Sequence, residues 1–369
     1  MRFTVTYSIK GTASEVKKRA FNICVEQTIE FPYHLVKDKY IRNEIVGKIR
    51  SIKPISKNQY LAKITYCEDS AGSELTQLLN VIFGNTSIIP GIRVESIELS
   101  HGLSKNLKGP RFGVKGIRKL LKAYNRPLIC SAIKPMGLSP KELAGLAYKF
   151  ALGGVDFIKD DHGLANQTFS PYKQRVKLVA QTVKKANKAA GKTCLYAPNV
   201  TADGDYEIIR RAKFAKKAGA GALVISPGLA GFNIVKRISS DSSISLPVLL
   251  HPALLGSFTV DKYSGFSHFF LYGQLARMCG ADISIFPNYG GRFSFSKKDC
   301  KNIALGCKTK MNGIKEIFPG PGGGMTLANV KQMKKFYGND AVFLMGGGLH
   351  SAGPDIVKNV QTFQKLIES

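Results

Sequence analysis

The feature that most constrains this chain is a series of eight short apolar runs, each followed by a segment long enough to form a helix. Short apolar runs that alternate with amphipathic segments are typical of β/α units around a parallel sheet. Eight units over about 240 residues match a (β/α)8 barrel in number and size. A doubly wound sheet is disfavoured, because no GxGxxG sequence opens a helix after the first run. The runs lie at residues 128–133, 155–159, 194–199, 222–226, 247–251, 282–286, 316–319 and 341–345.

The first part of the chain has a different pattern, in which strands and helices are mixed as in α+β domains. Residues 104–113, rich in glycine, lysine and proline, separate this part from a basic helical stretch at residues 114–124. We therefore predict an α/β protein with an N-terminal α+β domain at residues 1–120 and a C-terminal (β/α)8 barrel at residues 121–369. The N-terminal strands are predicted at residues 3–9, 44–52, 59–65 and 92–98, and the helices at residues 12–28 and 72–83.

The charge balance is strongly basic, with 54 Lys and Arg against 25 Asp and Glu and a net charge of +29. Such a surface attracts anions, but the lysines are scattered over predicted helices without an arginine-rich arm, so we expect no specific nucleic-acid partner. No apolar run is long enough to span a membrane, and the N-terminus resembles a strand rather than a signal peptide. The seven widely spaced cysteines suggest neither a disulfide framework nor a zinc site. These features favour a cytoplasmic protein with reduced thiols.

In a (β/α)8 barrel, the residues that follow the strands converge at one end, where active sites lie. Two glycine triplets follow the seventh and eighth runs, where such barrels commonly bind phosphate through backbone N–H groups. Glycine runs also permit tight turns, and for a single triplet that explanation would suffice. The residues that close the runs are Lys134; Lys159, Asp160, Asp161 and His162; Asn199; Ser226; His251; Pro287 and Asn288; Gly322, Gly323 and Gly324; and Gly346, Gly347 and Gly348.

Two parts of this set have specific chemistry. The sequence from Lys159 to His162 contains carboxylates suited to Mg²⁺, although imidazole is a poor magnesium ligand and the alternative is a charged surface loop. Lys134 could act as a general base or stabilise an enolate, or it could be an ordinary solvated lysine. His251 is ambiguous in the same way, because a lone histidine after a strand is often a structural donor.

Along nearly its whole length the chain resembles the RuBisCO superfamily, specifically its RuBisCO-like branch. The resemblance implies that Lys159 is the lysine carbamylated by carbon dioxide, that Asp161 is a magnesium ligand, and that His162 stands where RuBisCO has a glutamate ligand. Lys134 resembles the lysine near the enediolate, and Asn199 and His251 also match. The motifs that support the resemblance are IKPMGLS at residues 133–139, GGVDFIKDD at 153–161, PGGGM at 321–325, FLMGGG at 343–348, VEQTIEFP at 25–32 and LNVIFG at 79–84.

The last two motifs look like the segments with which this family completes the active site of a neighbouring subunit. Glu26 and Asn80 in them resemble residues that bind metal-bound substrate groups. The resemblance therefore implies a homodimer with shared active sites. It also implies phosphate binding by Gly323, Gly324, Gly346, Gly347 and Arg292, and Arg292 is the residue nearest to the position of the mobile-loop lysine of RuBisCO.

Departures from RuBisCO argue against carbon dioxide fixation. The second lysine of the Lys-Pro-Lys motif is missing, and Pro252, Ile285 and Gly322 replace the residues that hold one of two phosphates. We therefore predict enolisation of a monophosphorylated sugar-type substrate, and favour decarboxylation or transcarboxylation of an oxo-sugar-acid phosphate such as 3-oxo-isoapionate 4-phosphate. One alternative is an isomerase or enolase of a 5-methylthioribulose-type phosphate in sulfur salvage. Another is a non-catalytic protein that binds a sugar phosphate.

Overall fold

The N-terminal domain is built on a five-stranded sheet in the computed structural model of the chain, which describes residues 1–293 and 295–368. The spatial order of its strands is β10-β4-β1-β3-β2, and β10 comes from the barrel region. The sheet is mixed: three of its four strand pairs are antiparallel, and β10 and β4 pair in parallel. The strands are β1 (Arg2–Lys10), β2 (Lys48–Ser56), β3 (Gln59–Cys67), β4 (Ile92–Glu98) and β10 (Gly265–Phe266), and the helices are α1 (Ala13–Glu26), α2 (Glu68–Ala71), α3 (Leu75–Phe83), α4 (His101–Leu107) and α5 (Gly113–Leu121).

The local sequence explains why these elements form. In β1 the alternate residues Phe3, Val5, Tyr7 and Ile9 are all buried, as expected for a strand with one face on a core. Helix α1 begins with a capping box, in which the Thr12 side chain accepts from a backbone N–H of the first turn and a Glu side chain returns the bond. These elements together give the α+β domain that the sequence predicts.

The second sheet has eight parallel strands and closes into a barrel, which confirms the predicted fold. Its order is β7-β6-β5-β13-β12-β11-β9-β8, and a bridge between Asn199 and Val224 joins β7 to β8. All eight predicted runs overlap a strand, although the seventh run, at residues 316–319, shares only two residues with the strand Phe318–Gly322. The strands are β5 (Leu128–Ile133), β6 (Phe157–Asp160), β7 (Leu195–Ala197), β8 (Leu223–Ile225), β9 (Val248–Leu250), β11 (Ile283–Pro287), β12 (Phe318–Gly322) and β13 (Val342–Met345).

Helices follow the barrel strands as the βα pattern predicts. Two segments form π-helical turns rather than regular α-helix, namely Ile41–Ile45 in the N-terminal domain and Phe269–Leu275 in the barrel. None of the helices in the described residues is both long and apolar enough to cross a membrane. The barrel helices are α6 (Pro140–Gly153), α7 (Tyr172–Ala190), α8 (Asp205–Ala218), α9 (Pro227–Ala230), α10 (Phe232–Ser240), α11 (Ala276–Met278), α12 (Lys297–Lys308), α13 (Val330–Tyr337), α14 (Gly347–His350) and α15 (Ile356–Glu368).

The strand register fixes the height of each side chain that faces the barrel axis. Extended around the barrel, the register leaves β5 at residue 128 and returns at residue 120, a displacement of eight residues. This is the shear of the (β/α)8 fold, in which alternate strands supply layers of four side chains. From bottom to mouth, β6, β8, β11 and β13 supply Phe157, Ala222, Ile283 and Val342; then Lys159, Val224, Ile285 and Leu344; then Asp161, Ser226, Pro287 and Gly346. Strands β5, β7, β9 and β12 supply Cys130, Ala197, Leu249 and Gly320, and above them Ala132, Asn199, His251 and Gly322.

The bottom of the barrel is closed by α5, whose Ile117 and Leu121 pack against the lowest inward side chains. The Asp282 carboxylate ties this helix to the barrel, because it accepts N–H bonds from Phe112 and Gly113 at 2.9 and 2.7 Å and from Val248 at 3.0 Å. The division of the chain after residue 120 stays a prediction.

Some predicted element bounds differ from the structure. The second strand occupies Lys48–Ser56 rather than residues 44–52, because residues 41–45 form a π-helical turn. The predicted helix at residues 72–83 begins at Leu75, after the separate short helix α2. Strand β10 was not predicted, since two residues that pair with Arg93 and Val94 leave no periodic pattern in the sequence. The seven cysteines are unpaired and buried.

Candidate active site at the barrel mouth

Alternation along β6 decides which charged residues face the barrel axis. Phe157 packs inside the barrel, so Lys159 and Asp161 also point inward, whereas Asp160 points outward. The outward Asp160 carboxylate accepts from Arg175 Nε at 3.1 Å and from the Tyr196 hydroxyl at 2.7 Å. Asp160 is therefore part of a buried structural network that joins β6 to α7, and only one of the two adjacent carboxylates belongs to the mouth.

Lys159 is a buried amine on the floor of the mouth, with 2% of its surface exposed. Its Nζ donates to the backbone carbonyl of Asp160 at 2.8 Å. Burial lowers the pKa of Lys159, and the charge of Lys134 acts in the same direction, against the opposing effects of Cys130 and the two aspartates. A lowered pKa enlarges the fraction of neutral amine, which is the form that reacts with carbon dioxide.

Asp161 and His162 form the upper edge of the same strand end. Burial alone would raise the pKa of Asp161, but the contact with His162 and the positive charges of Lys159 and Lys134 hold it well below its usual range. His162 Nδ1 lies 3.5 Å from Asp161 Oδ1, and the His162 ring stacks on the His251 ring with centroids 4.2 Å apart. Asp161 is therefore an ionised carboxylate surrounded by nitrogen groups.

His251 is held as a neutral imidazole. Burial, with the nearby charges of Lys159 and His162, lowers the pKa of His251 to about 2. The backbone N–H of Ala253 donates to His251 Nδ1 at 3.2 Å, which leaves the ring proton on Nε2. His251 can thus donate a hydrogen bond into the mouth, but it is a weak base.

Lys134 follows β5, the strand paired with β6 on one side and β13 on the other, and it lies beside the glycine loop that follows β13. A Cβ atom at Gly346 would lie 3.2 Å from Lys134 Nζ, so the amine rests directly against the loop backbone. The charge of Lys134 also affects the pKa values of Lys159, Asp161 and His251. The structure therefore brings Lys134, Lys159 and Asp161 together with one of the predicted phosphate loops.

The glycine loop after β12 adopts backbone conformations that favour glycine. Gly323 and Gly324 have φ values of +83° and +68°, and a Cβ atom at Gly324 would lie 3.0 Å from the backbone of Gly291. Gly347 has open space around it. The neighbouring Arg292 is exposed, and its guanidinium lies 5.0 Å from the Phe293 ring centre. Two glycine loops thus stand side by side at the mouth, with Arg292 on the loop between β11 and α12.

Glu26 and Asn80 lie on the N-terminal domain, at the ends of α1 and α3. Glu26 accepts from Asn85 Nδ2 at 3.0 Å, and it lines a cavity of about 590 Å³ with Arg19 and His34 among its neighbours. Asn80 is exposed, and its side chain donates to Gln77 at 3.4 Å. Within the described chain, neither side chain has a recorded hydrogen bond to the barrel mouth.

Comparison with known proteins gives the family. A family model described as the ribulose bisphosphate carboxylase large chain, catalytic domain, matches residues 113–288. Ribulose bisphosphate carboxylase-like protein 1 of Rhodopseudomonas palustris is 36% identical over 371 residues, which covers 100% of this chain and 98% of that protein. The chain belongs to the RuBisCO superfamily, in its RuBisCO-like branch.

Other RuBisCO-like relatives have named activities. A 5-methylthioribulose-1-phosphate isomerase of Rhodospirillum rubrum is 34% identical over 366 residues, covering 98% of this chain and 95% of that protein. A 2,3-diketo-5-methylthiopentyl-1-phosphate enolase of Bacillus pumilus is 32% identical over 321 residues, with 86% and 78% covered. The crystal structure of a RuBisCO-like protein from Rhodopseudomonas palustris superposes with a TM-score of 0.88 at 34% identity, covering 100% of this chain and 97% of that one.

Two polar residues of this RuBisCO-like mouth have roles that the sequence did not reveal. Asn199 Nδ2 donates to the carbonyls of His162 at 2.9 Å and Leu164 at 3.1 Å, so it fixes the loop that contains the candidate metal ligands. Ser226 is 1% exposed, and its hydroxyl has no hydrogen-bond partner among the residues that the structure describes. Both follow barrel strands, which is the signal that marked them as mouth residues, but their partners depend on tertiary packing.

Proposed function

We propose that this RuBisCO-like protein enolises a monophosphorylated sugar-type substrate at the barrel mouth. The observation that carries the proposal is the placement of the Lys134 amine against the Gly346 backbone, within electrostatic reach of Lys159 and Asp161. An amine beside a phosphate loop can act on the carbon chain that extends from the phosphate. The same amine can remove a proton next to a carbonyl or stabilise the enolate that forms.

The glycine loops supply the anion-binding part of this proposal. Gly323, Gly324 and Gly347 are exposed and Gly346 is half-buried, so a phosphate could bind to backbone N–H groups there, and it would fix the carbon chain over Lys134. Arg292 lies on an adjacent exposed loop and would add a positive charge to the rim. Ile285 is a buried apolar residue where a second phosphate of a bisphosphate would need polar groups, which supports a single phosphate.

The mouth fits a magnesium ion only after Lys159 changes its charge. With Lys159 unmodified, the one carboxylate of the mouth, Asp161, lies near the two lysines Lys134 and Lys159. The described residues contain no cluster of three His, Cys, Asp or Glu side chains that could hold a metal. Carbamylation would turn the Lys159 cation into an anion with two oxygens, and carboxylate-type oxygens are the ligands that Mg²⁺ prefers. Lys159 and Asp161 would then hold the ion, with His162 at its edge. When bound, the ion would polarise the substrate carbonyl.

Two substrate classes remain from the sequence, and the relatives favour one of them. The isomerase and the enolase described above are both named for methylthio-substituted five-carbon phosphates. We therefore place a 5-methylthioribulose-type phosphate ahead of the oxo-sugar-acid phosphate that the sequence first favoured. Both reactions pass through an enolate, which forms by removal of a proton beside a carbonyl in the methylthio compound and by loss of carbon dioxide in the oxo acid.

The proposal includes a homodimer. Glu26 and Asn80 are the N-terminal residues that the family resemblance assigns to a shared site, and both have only N-terminal partners within one chain. A second copy of the chain would bring these side chains to the mouth. Sedimentation of the purified chain, with Glu26→Gln mixed with Lys134→Ala to seek restored activity in mixed dimers, tests this arrangement.

The experiment for the proposed activity is proton exchange at carbon, followed by NMR in deuterated water with Mg²⁺ and bicarbonate. The probes are 5-methylthioribulose 1-phosphate, 2,3-diketo-5-methylthiopentyl 1-phosphate and 3-oxo-isoapionate 4-phosphate. We expect deuterium uptake or turnover with at least one methylthio compound, and loss of both in Lys134→Ala. Turnover of the oxo-sugar acid alone would reverse the order of the two substrate classes.

The non-catalytic alternative gives a different result in the same experiment. A sugar-phosphate sensor would bind probes, as followed by calorimetry, without exchange or turnover, and Lys134→Ala would bind as tightly as the natural chain. That outcome would contradict the proposed activity.

A further inference from the structure

The hydroxyl of Ser226 is a polar group without a partner inside the barrel mouth. Ser226 follows β8, in which Val224 faces the axis and Ile225 faces the surrounding helices. Alternation therefore points the Ser226 side chain inward. The residue is 1% exposed, and its Oγ has less than 1 Å² of accessible surface and no hydrogen bond to any residue in the described part of the chain. Buried hydroxyls without partners are rare in native proteins and call for an explanation.

Local structure does not use this hydroxyl, although it could. Ser226 occupies the N-cap position of α9, where a serine side chain usually accepts a bond from the first turn, but no such bond is present. The backbone of Ser226 is fully engaged, because its N–H donates to Thr201 Oγ1 at 3.0 Å and its carbonyl accepts from Ala230. The backbone is thus fixed, while the hydroxyl is left free.

The register places this free hydroxyl near the candidate carbamylation site. Ser226 shares the uppermost inward layer with Asp161, and Lys159 lies in the next layer of the same set of strands. The long side chain of Lys159 can rise toward that upper layer. Within the described residues, its Nζ has one recorded hydrogen bond, to the carbonyl of Asp160. Ser226 is 1% exposed and Lys159 is 2% exposed, so both side chains are closed off from solvent.

A partner for the Ser226 hydroxyl must therefore be a small polar group that can form inside this closed part of the mouth. A sugar phosphate is too large to contact an atom that water cannot reach without a rearrangement. Carbon dioxide is small and apolar, and its addition to Lys159 would create two oxygens one bond beyond Nζ. We propose that the Ser226 hydroxyl donates a hydrogen bond to a carbamate on Lys159 and thereby positions it. This inference rests on the carbamylation step of the proposed function.

The covalent step balances without any further reagent. The lone pair of the neutral Lys159 amine forms a bond to the carbon of CO₂, and one C=O electron pair moves to oxygen. The nitrogen then loses a proton to solvent, so one amine and one CO₂ give one carbamate anion and one proton. Ser226 acts on the product only, as a donor to one of its oxygens, and it is a positioning residue.

The experiment measures the carbamate itself, with no sugar phosphate present. The full-length chain is titrated with ¹³C-labelled CO₂ and bicarbonate at fixed pH, and the carbamate signal is followed by ¹³C NMR. Lys159→Arg, which keeps the charge but cannot form the adduct, identifies the signal. We expect Ser226→Ala to need about 10-fold more CO₂ for half-saturation, the effect of losing one hydrogen bond to a charged group. Ser226→Thr, which keeps a hydroxyl, should stay near the natural chain.

Thermal unfolding without CO₂ separates positioning from a structural role. Ser226→Ala removes an unpaired hydroxyl and should melt at the same temperature or higher. Ser267→Ala is the matched control, because the buried Ser267 hydroxyl donates to the Glu95 carbonyl at 2.7 Å and accepts from Phe270 N–H at 3.1 Å. Ser267→Ala should melt lower while its CO₂ titration stays unchanged.

The other outcomes either overturn the inference or separate it from the proposed activity. Equal CO₂ dependence in Ser226→Ala and the natural chain would show that the hydroxyl does not contact the carbamate. A melting temperature of Ser226→Ala lowered as far as that of Ser267→Ala would show a structural role. Deuterium exchange without any carbamate on Lys159 would overturn this inference and leave enolisation standing. A Ser226-dependent carbamate without exchange of any probe would support this inference and contradict the proposed activity.

Discussion

Both ends of the barrel contain buried charged and polar residues, but these residues have complete sets of partners at the bottom and incomplete sets at the mouth. At the bottom, the Asp156 carboxylate binds Arg126 through two contacts of 2.7 Å and also accepts from Ile129 N–H at 2.8 Å. The Asp282 carboxylate accepts three backbone N–H bonds. Buried charge at this end is matched by partners from neighbouring elements.

At the mouth, the partners are incomplete. Lys134 and Lys159 lie near the single carboxylate of Asp161, and each lysine lowers the proton affinity of nearby groups. Within residues 1–293 and 295–368, the Ser226 hydroxyl has no hydrogen-bond partner. Like charges and unpaired polar groups destabilise the fold, and they are retained where binding or catalysis uses them. The bottom of the barrel therefore contributes stability, whereas the mouth has charged and polar groups whose partner would be a bound ligand.

Removal of Lys134 should have the largest effect on this contrast. Lys134→Ala should reduce deuterium exchange by about 1000-fold, the size of a lost general base or enolate partner. Its melting temperature should stay the same or rise, because the substitution relieves repulsion with Lys159. Lys185→Ala, on the exposed face of α7, is the matched control and should leave both quantities unchanged. If Lys134→Ala lowered the exchange rate only because less of the protein was folded, Lys134 would have a structural role like the charged residues at the bottom.

Removal of Arg126 should show the reverse pattern at the bottom. Arg126→Ala leaves the Asp156 carboxylate, which is 3% exposed, without its charged partner. Breaking a buried ion pair in this way should lower the free energy of unfolding by about 3 kcal/mol. Urea unfolding measures that loss, and exchange per folded molecule should stay at the level of the natural chain. A reduced rate in the folded variant would show that the bottom also supports catalysis.

The pH dependence of stability sharpens the description of the bottom. Burial raises the pKa of Asp282 to about 6 in spite of its three N–H donors, against 3.8 for an exposed aspartate. The folded chain thus binds this proton more tightly than the unfolded chain. The stability from Asp282 is complete below the unfolded pKa of 3.8 and is lost as the pH rises through 6, a total fall of about 3 kcal/mol. Urea unfolding from pH 4.5 to 7 should show a shallower decline in Asp282→Asn, and identical slopes would contradict this assignment.

The sequence predicts the barrel well because burial makes its eight strands apolar, and each predicted run overlaps one of these strands. The mouth is predictable as a set for the same reason, since every residue that follows a strand reaches one end. The partners within that set are not predictable. Asp160 and Asp161 are chemically identical neighbours, and only the position of Phe157 inside the barrel shows that Asp160 turns outward to Arg175. The unpaired state of Ser226 depends on α9 and Thr201, which the sequence does not connect.

The smallest expected effect concerns the glycine loop after β12. There, Gly323 and Gly324 form a matched pair that separates the close packing of two loops from the need for a positive φ. Gly323 and Gly324 both have positive φ, so alanine strains both. Only Gly324 faces another segment, since its Cβ would lie 3.0 Å from Gly291, whereas Gly323 has open space. Gly324→Ala should therefore weaken binding of a phosphorylated probe about 10-fold more than Gly323→Ala does, equivalent to about 1.4 kcal/mol. Calorimetry with 5-methylthioribulose 1-phosphate measures this ratio, and equal losses would mean that the packing of the two loops does not shape the phosphate site.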